Sequence, residues 1–182
     1  MAGVMSLNLA NWLTLLRLCL VPLVITAISQ HRFDLAFAGF VLAGLTDAID
    51  GYIARNFNQM TELGAILDPI ADKSLLVSIF ITMGILGIIP VWLVILVVAR
   101  DLMIVGAVIV SWLLSNPVEI RPLFISKANT VAQIVFAAYK LGTLTFQAEV
   151  PTIETGLIAA VCILTMASIA AYLSGWLKHM SE

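Results

Sequence analysis

Long apolar runs separated by short polar stretches are the dominant pattern of this 182-residue chain. A helix that crosses the roughly 30 Å hydrocarbon core of a bilayer needs about 20 residues, and each run is close to that length. The pattern predicts spans at about residues 12–28, 35–54, 65–88, 91–114, 124–146 and 153–177. Turn signals such as Pro90, Ser115-Asn116-Pro117 and Pro151 lie between them. We predict an all-α integral membrane protein with six transmembrane helices in a single domain, residues 1–182.

Two segments need a separate interpretation. Residues 1–9 form a mildly amphipathic lead that we expect to lie at the membrane interface. They contain no basic cluster before an apolar core and no small-residue cleavage site, so we expect no removable signal peptide. The start of the third span has two solutions: Pro69 lies in a first turn behind an Asp68 cap, or it kinks a helix that begins at Thr61.

Composition supports the membrane assignment. The chain is 62% hydrophobic and only 11% charged, and its mean hydropathy is +1.08, which exceeds what a soluble domain of this size carries. The net charge of −2 comes from 11 acidic and 9 basic residues and gives no reason to expect a nucleic acid partner. Cys19 and Cys162 lie in apolar runs without metal-ligand spacing, and we expect both to be buried small hydrophobes.

The distribution of basic residues predicts the orientation, because Lys and Arg concentrate on the cytoplasmic side of membrane proteins. With the N-terminus in the cytoplasm, Arg32 and Lys140 fall on the outer side. The inner ends and loops then collect Arg17, Arg55, Lys73, Arg121, Lys127 and Lys178. We therefore place both termini in the cytoplasm.

Four aspartates within this apolar chain are the strongest candidates for chemistry. Asp47, Asp50, Asp68 and Asp72 lie in the spaced motif Asp-x-x-Asp-Gly-x-x-Ala-Arg-x8-Gly-x3-Asp-x3-Asp. Charged side chains at membrane depth are costly unless they are paired or bind a cation. A cluster of carboxylates near the inner membrane surface therefore indicates a polyvalent metal site.

Helical spacing groups the motif into two stripes. Asp50, Gly51, Ala54 and Arg55 follow Asp47 by three, four, seven and eight residues, and Gly64, Asp68 and Asp72 repeat every four. Two antiparallel helices can thus direct two carboxylates each into one cleft, where hard oxygen ligands suit Mg²⁺, Mn²⁺ or Ca²⁺ and two divalent ions balance four charges.

The small residues and the arginine suggest what the metals hold. Gly51 and Ala54 let a large group approach the backbone, although small residues in membrane helices also serve helix packing. Arg55 supplies a fixed cation for a phosphate. The combination favours a metal-bound diphosphate.

A divalent-cation transporter is the alternative from another class, but the chain lacks the two related halves and interrupted helices typical of such carriers.

The segment Thr46-Asp47-Ala48-Ile49-Asp50-Gly51-Tyr52-Ile53-Ala54-Arg55, followed by Gly64, Asp68 and Asp72, resembles the signature of the CDP-alcohol phosphotransferase family. Asn11-Trp12-Leu13-Thr14-Leu15-Leu16-Arg17 is similar to the opening motif of the family's phospholipid synthases, with Ala10 in place of a frequent proline.

The resemblance implies transfer of a phosphatidyl group from CDP-diacylglycerol to an acceptor hydroxyl, with release of CMP. By analogy, Asp47, Asp50, Asp68 and Asp72 bind two divalent cations, Mg²⁺ or Mn²⁺, and Asp72 is also the catalytic base. The same analogy places Gly51, Ala54, Arg55 and Gly64 around the CDP group. It also implies a homodimer in a membrane, here expected to be a bacterial inner membrane with the active site facing the cytoplasm.

The acceptor is predicted from the fourth and fifth spans. Phosphatidylglycerophosphate synthases resemble the stretch around Arg100 and Asp101 but typically have a second arginine eight residues later, for the dianion of glycerol-3-phosphate, where this chain has Val108. The stretches Ala-Arg-Asp-Leu-Met-Ile-Val and Arg121-Pro122-Leu123-Phe124-Ile125-Ser126-Lys127 resemble the family's cardiolipin synthases instead.

This resemblance implies phosphatidylglycerol as the acceptor, with phosphatidylglycerophosphate synthesis as the alternative. We expect Arg100 and Lys127 to bind the acceptor phosphate, together with Arg121. An ion pair between Arg100 and Asp101 and a headgroup role for Arg121 stay open.

Overall fold

The computed structural model describes the backbone of residues 9–56, 62–113 and 124–181, and the side chains of residues 15–49, 73–107 and 124–177. All regular structure in these residues is helical, which confirms the all-α prediction for this part of the chain. The helices lie within four residues of the predicted spans. They are α1 Leu9–Ser29, α2 Phe33–Asn56, α3 Glu62–Ile85, α4 Val91–Leu113, α5 Phe124–Phe146 and α6 Pro151–Ser181.

α3 differs from its predicted bounds at both ends. The helix begins at Glu62, so Pro69 lies inside it and not in its first turn. It ends at Ile85, three residues before the predicted end, because Gly87 adopts a φ of 69°. A left-handed residue of this kind stops a helix, and glycine adopts the conformation without a steric penalty from Cβ.

The turns around α2 and α6 follow the same logic. Between α1 and α2, His31 takes a φ of 57°, and the Arg32 amide donates to the Ala27 carbonyl at 2.8 Å. Pro151 was predicted to separate the last two spans, and it is the first residue of α6. Proline suits this position because its missing N–H would have no partner within the helix.

One compact unit contains α1, α2 and α3 as far as Leu86, together with Leu141–Ala148 at the end of α5. In this unit α1 packs against both α2 and α3. Its buried apolar side chains include Val24, Ile28, Ala36, Ile79, Phe80 and Met83. α1 and α2 approach closely at Gly39, where an added Cβ would lie 2.8 Å from Val24 Cγ2.

A second unit contains Gly87–Lys140 and the chain from Glu149 onward. In it α4 packs against α6. The buried apolar side chains include Leu93, Val97, Phe136, Ala137 and Val161. The Tyr139 hydroxyl fixes the connection before α6, because it donates to the Val150 carbonyl at 2.8 Å and accepts from the Val150 amide at 3.1 Å.

Apolar side chains on the outside of the described residues are consistent with a membrane protein. Pro151–Leu177 is the one described segment that is both long and apolar enough to cross a bilayer, whereas Leu15–Ser29 and Lys73–Ile85 are shorter apolar helical segments. The number of spans and the orientation stay predictions. Cys19 is exposed and Cys162 is half-buried, so the full burial expected for both cysteines was wrong. A thiol on an outward apolar face needs no polar partner, because it behaves as a small hydrophobe.

Candidate functional site

Two helices of the first unit carry the aspartate motif. Asp47 and Asp50 lie in the C-terminal half of α2, and Asp68 and Asp72 lie in the N-terminal half of α3. Both segments are helical, so the predicted intervals place the members of each pair on a common face. The side chains of Asp50, Asp68 and Asp72 lie outside the described set, as do those of Gly51, Ala54, Arg55 and Gly64. Their roles in metal and CDP binding therefore stay predictions.

Of the four aspartates in the motif, Asp47 is the one whose side-chain environment is described. Its Oδ1 lies 3.0 Å from Nη1 of Arg17, and 49% of its side chain is exposed, compared with 1% for Arg17. The neighbouring Thr46 is buried and donates to the Ala43 carbonyl at 2.8 Å within the same helix. Asp47 is thus an accessible carboxylate on a packed helix, and it is fixed at one oxygen by a buried cation.

Arg17 was not among the predicted site residues. From the sequence, Arg17 is interpreted only as a positive charge at the cytoplasmic end of a span. The structure places it inside α1 and buries it. Two signals could have found it: a cation within an apolar span, which requires a counter-charge, and its position at the end of the Asn11–Arg17 motif. Neither signal identifies its partner, because Asp47 lies on a different helix.

The donor chemistry of the motif fits divalent cations. Carboxylate oxygens are the ligands that Mg²⁺ and Mn²⁺ prefer. An ionised carboxylate offers about four lone-pair positions, so the contact of Asp47 with Arg17 leaves acceptor capacity for a metal. The exposure of Asp47 also lets a ligand reach it.

Arg100 is the centre of a buried polar cluster in the second unit. It is 2% exposed, and its guanidinium donates to Asp101 on α4, Ser126 on α5 and Ser168 on α6. Ser168 accepts from Nε at 3.1 Å and from Nη2 at 3.0 Å. The Tyr172 ring centroid lies 5.9 Å from the guanidinium carbon, which is within the range of cation–π attraction.

The contacts of Arg100 bear on its predicted role. The ion pair with Asp101, which the sequence left open, is present. Because Arg100 is buried with its guanidinium directed at Asp101, Ser126 and Ser168, an acceptor phosphate can reach it only after this cluster opens. Arg100 therefore links α4, α5 and α6 in this structure.

The other predicted acceptor residues differ in position. Lys127 is exposed in the first turn of α5 and forms no ion pair with a carboxylate among the described residues. It follows Ser126, which contacts Arg100. Arg121 lies outside the described residues, and so does the side chain of Val108. Acceptor binding by Arg100, Lys127 and Arg121 stays a prediction.

Further buried polar side chains join α5 and α6. Thr165 and Asn129 are both fully buried, and the Thr165 hydroxyl donates to Asn129 Oδ1 at 2.9 Å. Gln133 lies one turn further along α5 and is also buried. Polar groups hidden from water need hydrogen-bond partners, and the bond between Thr165 and Asn129 supplies one across the two helices.

Comparison with known proteins agrees with the motif. A family model described as CDP-alcohol phosphatidyltransferase matches residues 7–167. The chain is 34% identical over 155 residues to the cardiolipin synthase (CMP-forming) of Homo sapiens, covering 76% of this chain and 52% of that protein. It is 35% identical over 155 residues to the protein of the same name from Rattus norvegicus, covering 76% and 51%.

A third relative carries a different name. A protein of Mycobacterium tuberculosis (strain CDC 1551 / Oshkosh) named "Probable phosphatidylglycerophosphate synthase" is 45% identical over 101 residues, covering 52% of this chain and 48% of that protein. The chain spans about half the length of the human, rat and mycobacterial relatives.

A helical chain with this motif and these relatives belongs to a class of membrane enzymes. The chain belongs to the CDP-alcohol phosphatidyltransferase family. The family resemblance seen in the aspartate motif is thereby confirmed.

Proposed function

We propose that this protein transfers the phosphatidyl group of CDP-diacylglycerol to a hydroxyl of phosphatidylglycerol, giving cardiolipin and CMP. The observation that carries the reaction type is the complete aspartate motif on α2 and α3 in a chain of this family. The choice of acceptor is supported by the match to two cardiolipin synthases over 76% of the chain. Val108, in place of a second arginine, supports the same choice.

Different residues of the motif are assigned to CDP binding and to metal binding. In this proposal Gly51, Ala54 and Gly64 would line the CDP pocket, and Arg55 would contact its phosphates. Asp47, Asp50, Asp68 and Asp72 would hold two Mg²⁺ or Mn²⁺ ions, which supply charge neutralisation for the diphosphate and stabilise CMP as the leaving group.

Proton transfer is assigned to Asp72. The acceptor hydroxyl oxygen forms a bond to the phosphorus that carries diacylglycerol, and the bond from that phosphorus to the CMP oxygen breaks. The hydroxyl proton passes to the Asp72 carboxylate, and CMP leaves with the bonding electron pair. A carboxylate beside the nucleophile is a suitable general base for this step.

Acceptor binding is assigned to the basic residues around the start of α5. Lys127 is exposed there, and Arg100 lies against the adjacent Ser126. The phosphate of phosphatidylglycerol is a diester with a single charge, so it needs less positive charge than a phosphomonoester dianion. Lys127 makes the first contact, and Arg100 joins it by exchanging Asp101 for the phosphate; Arg121 contributes from the preceding segment.

The membrane arrangement follows from the predicted spans. Six transmembrane helices, with both termini and the aspartates at the cytoplasmic side of a bacterial inner membrane, bring the site to CDP-diacylglycerol and phosphatidylglycerol within the bilayer. The outward apolar surface of Pro151–Leu177 supports membrane embedding. We further propose one catalytic domain over residues 1–182 that acts as a homodimer.

The test is product formation by purified protein with CDP-diacylglycerol and Mn²⁺ or Mg²⁺. Parallel reactions contain phosphatidylglycerol or glycerol-3-phosphate, and mass spectrometry identifies the lipid product. Cardiolipin and CMP from phosphatidylglycerol are expected, with no product when the metal is chelated. Product from glycerol-3-phosphate alone would overturn the acceptor, and activity without divalent metal would overturn the two-metal proposal.

Phosphatidylglycerophosphate synthesis is the second candidate. One observation favours it, the 45% identity to the mycobacterial relative over 101 residues. Its acceptor carries a phosphomonoester dianion, which calls for more basic side chains than the stretch from Arg100 to Val108 offers. The two-acceptor experiment separates these functions directly.

A further inference from the structure

The ion pair between Arg17 and Asp47 joins a fully buried cation to a half-exposed carboxylate. The Arg17 side chain is 1% exposed, and its Nη1 lies 3.0 Å from Asp47 Oδ1. Its helix, α1, packs against both helices that carry the aspartate motif. Arg17 thus approaches the motif from the protein interior, whereas the exposed side of Asp47 is open to a ligand.

The chemistry of the two groups decides what this contact does. Arginine stays protonated in proteins and presents its N–H donors in a rigid planar fork. A donor that binds one carboxylate oxygen restricts the rotation of the whole carboxylate and so directs the remaining lone pairs. Carboxylates that bind metals are commonly oriented by such hydrogen bonds from residues that do not touch the metal.

We propose that Arg17 is a positioning residue, which fixes Asp47 in the orientation that binds a divalent cation. This inference rests on the proposed metal-dependent transfer. Arg17 is buried, so it acts through Asp47 and not on the substrate. Its charge also offsets part of the repulsion among the four aspartates before metal arrives.

The direction of its effect on metal affinity separates this role from simple electrostatics. A buried cation that acted only through its charge would repel Mn²⁺, and its removal would tighten metal binding. A positioning residue has the opposite effect, because its removal lets the carboxylate rotate away. Loss of such an orienting partner lowers metal affinity by about 10–100-fold.

The experiment measures Mn²⁺ binding to purified protein through the electron paramagnetic resonance signal of free Mn²⁺, with no lipid substrate. We expect Arg17→Met to weaken binding by about tenfold or more. Arg17→Lys keeps the charge without the planar fork and should fall between wild type and Arg17→Met. Lys140→Met removes another buried cation, in the second unit, and should leave Mn²⁺ affinity unchanged.

A double-mutant cycle with Asp47→Asn tests whether Arg17 acts through Asp47. In the Asp47→Asn background, Arg17→Met should weaken Mn²⁺ binding no further, because the oriented carboxylate is already absent. Thermal unfolding of each variant checks that it is folded, and Arg17→Lys serves as the folded probe if Arg17→Met does not fold.

The outcomes separate this inference from the proposed function. Unchanged or tighter Mn²⁺ binding by the folded Arg17 variants would overturn the positioning role alone, and so would additive effects in the cycle. A wild-type protein that binds no Mn²⁺ would overturn the proposed metal dependence. A positioning role restricted to the aspartate motif also predicts that Mn²⁺ raises the Tm of wild type more than that of Arg17→Met.

Discussion

The Lys140 ammonium lies 2.7 Å from Glu154 Oε1 and connects the C-terminal half of α5 to the first turn of α6. Lys140 is buried, although the sequence placed it near the outer side. Glu149 also contacts it, but at 3.7 Å and with 55% of its side chain exposed, compared with 22% for Glu154. The burial of the nearer carboxylate makes it the stronger of these two partners.

Replacement of Glu154 should therefore destabilise the protein more than replacement of Glu149. We expect Glu154→Gln to cost about 1.5–3 kcal/mol, the range for hydrogen bonds to charged groups. Glu149→Gln, the matched control on the same lysine, should cost less than about 1 kcal/mol, as exposed ion pairs do. Thermal unfolding in detergent measures both, and equal losses would contradict the ranking.

Close packing of α1 on α2 predicts that a methyl group is not tolerated at Gly39. The Cβ of an alanine at this position would lie 2.8 Å from Cγ2 of the buried Val24. Overpacking of this kind lowers the free energy of unfolding by about 1–3 kcal/mol. Gly39→Ala should lower the Tm, and a second change, Val24→Ala, should recover part of the loss.

Gly44 in the same helix is the control for Gly39. An added Cβ there meets nothing within 4 Å, and alanine favours a helix interior over glycine by roughly 0.5–1 kcal/mol. Gly44→Ala should keep or raise the Tm. A Gly39→Ala protein as stable as Gly44→Ala would show that α1 and α2 are not closely packed at this point.

The Arg100 cluster predicts that one serine is important for stability and another is not. Ser168 is fully buried and accepts two guanidinium hydrogen bonds, so Ser168→Ala should cost about 1–3 kcal/mol. Ser174 is exposed and donates to the Ala171 carbonyl in its own helix, so Ser174→Ala should change stability by less than about 0.5 kcal/mol. Unfolding midpoints of the two variants, measured in the same detergent, test this difference in stability. A silent Ser168→Ala would count against the guanidinium contacts.

The base assignment predicts the effect of Asp72→Asn on turnover. The amide cannot accept the hydroxyl proton, and loss of a general base lowers the rate by about 10²–10⁴-fold. Asp34→Asn is the matched control, because Asp34 is an exposed aspartate outside the motif. Its ion pair with the exposed Arg32, at 3.6 Å, contributes little to stability. Cardiolipin formation should fall for Asp72→Asn with an unchanged Tm and stay normal for Asp34→Asn. Retained activity of a folded Asp72→Asn protein would remove Asp72 from the base role.

The sequence determined the positions of the helices and the family of this protein. Apolar run lengths and turn residues are local signals, which is why α4 and α5 begin and end within a residue of their predicted bounds. Helical spacing also grouped the aspartates, because it depends only on residues in one helix. Pro69 could not be placed in the same way, since both of its solutions obey the local rules until α3 is seen to begin at Glu62.

The tertiary structure alone decided which buried charges meet. Arg100 reaches Ser126 and Ser168, which are 26 and 68 residues away along the chain, and Arg17 reaches Asp47 on another helix. The apolar pattern shows that such cations need partners, because an unpaired charge is costly away from water. It does not show which helices pack together, and packing selects the partner. The sequence alone therefore identifies the aspartate motif. The tertiary structure shows that Arg17 contacts Asp47, the first carboxylate of that motif.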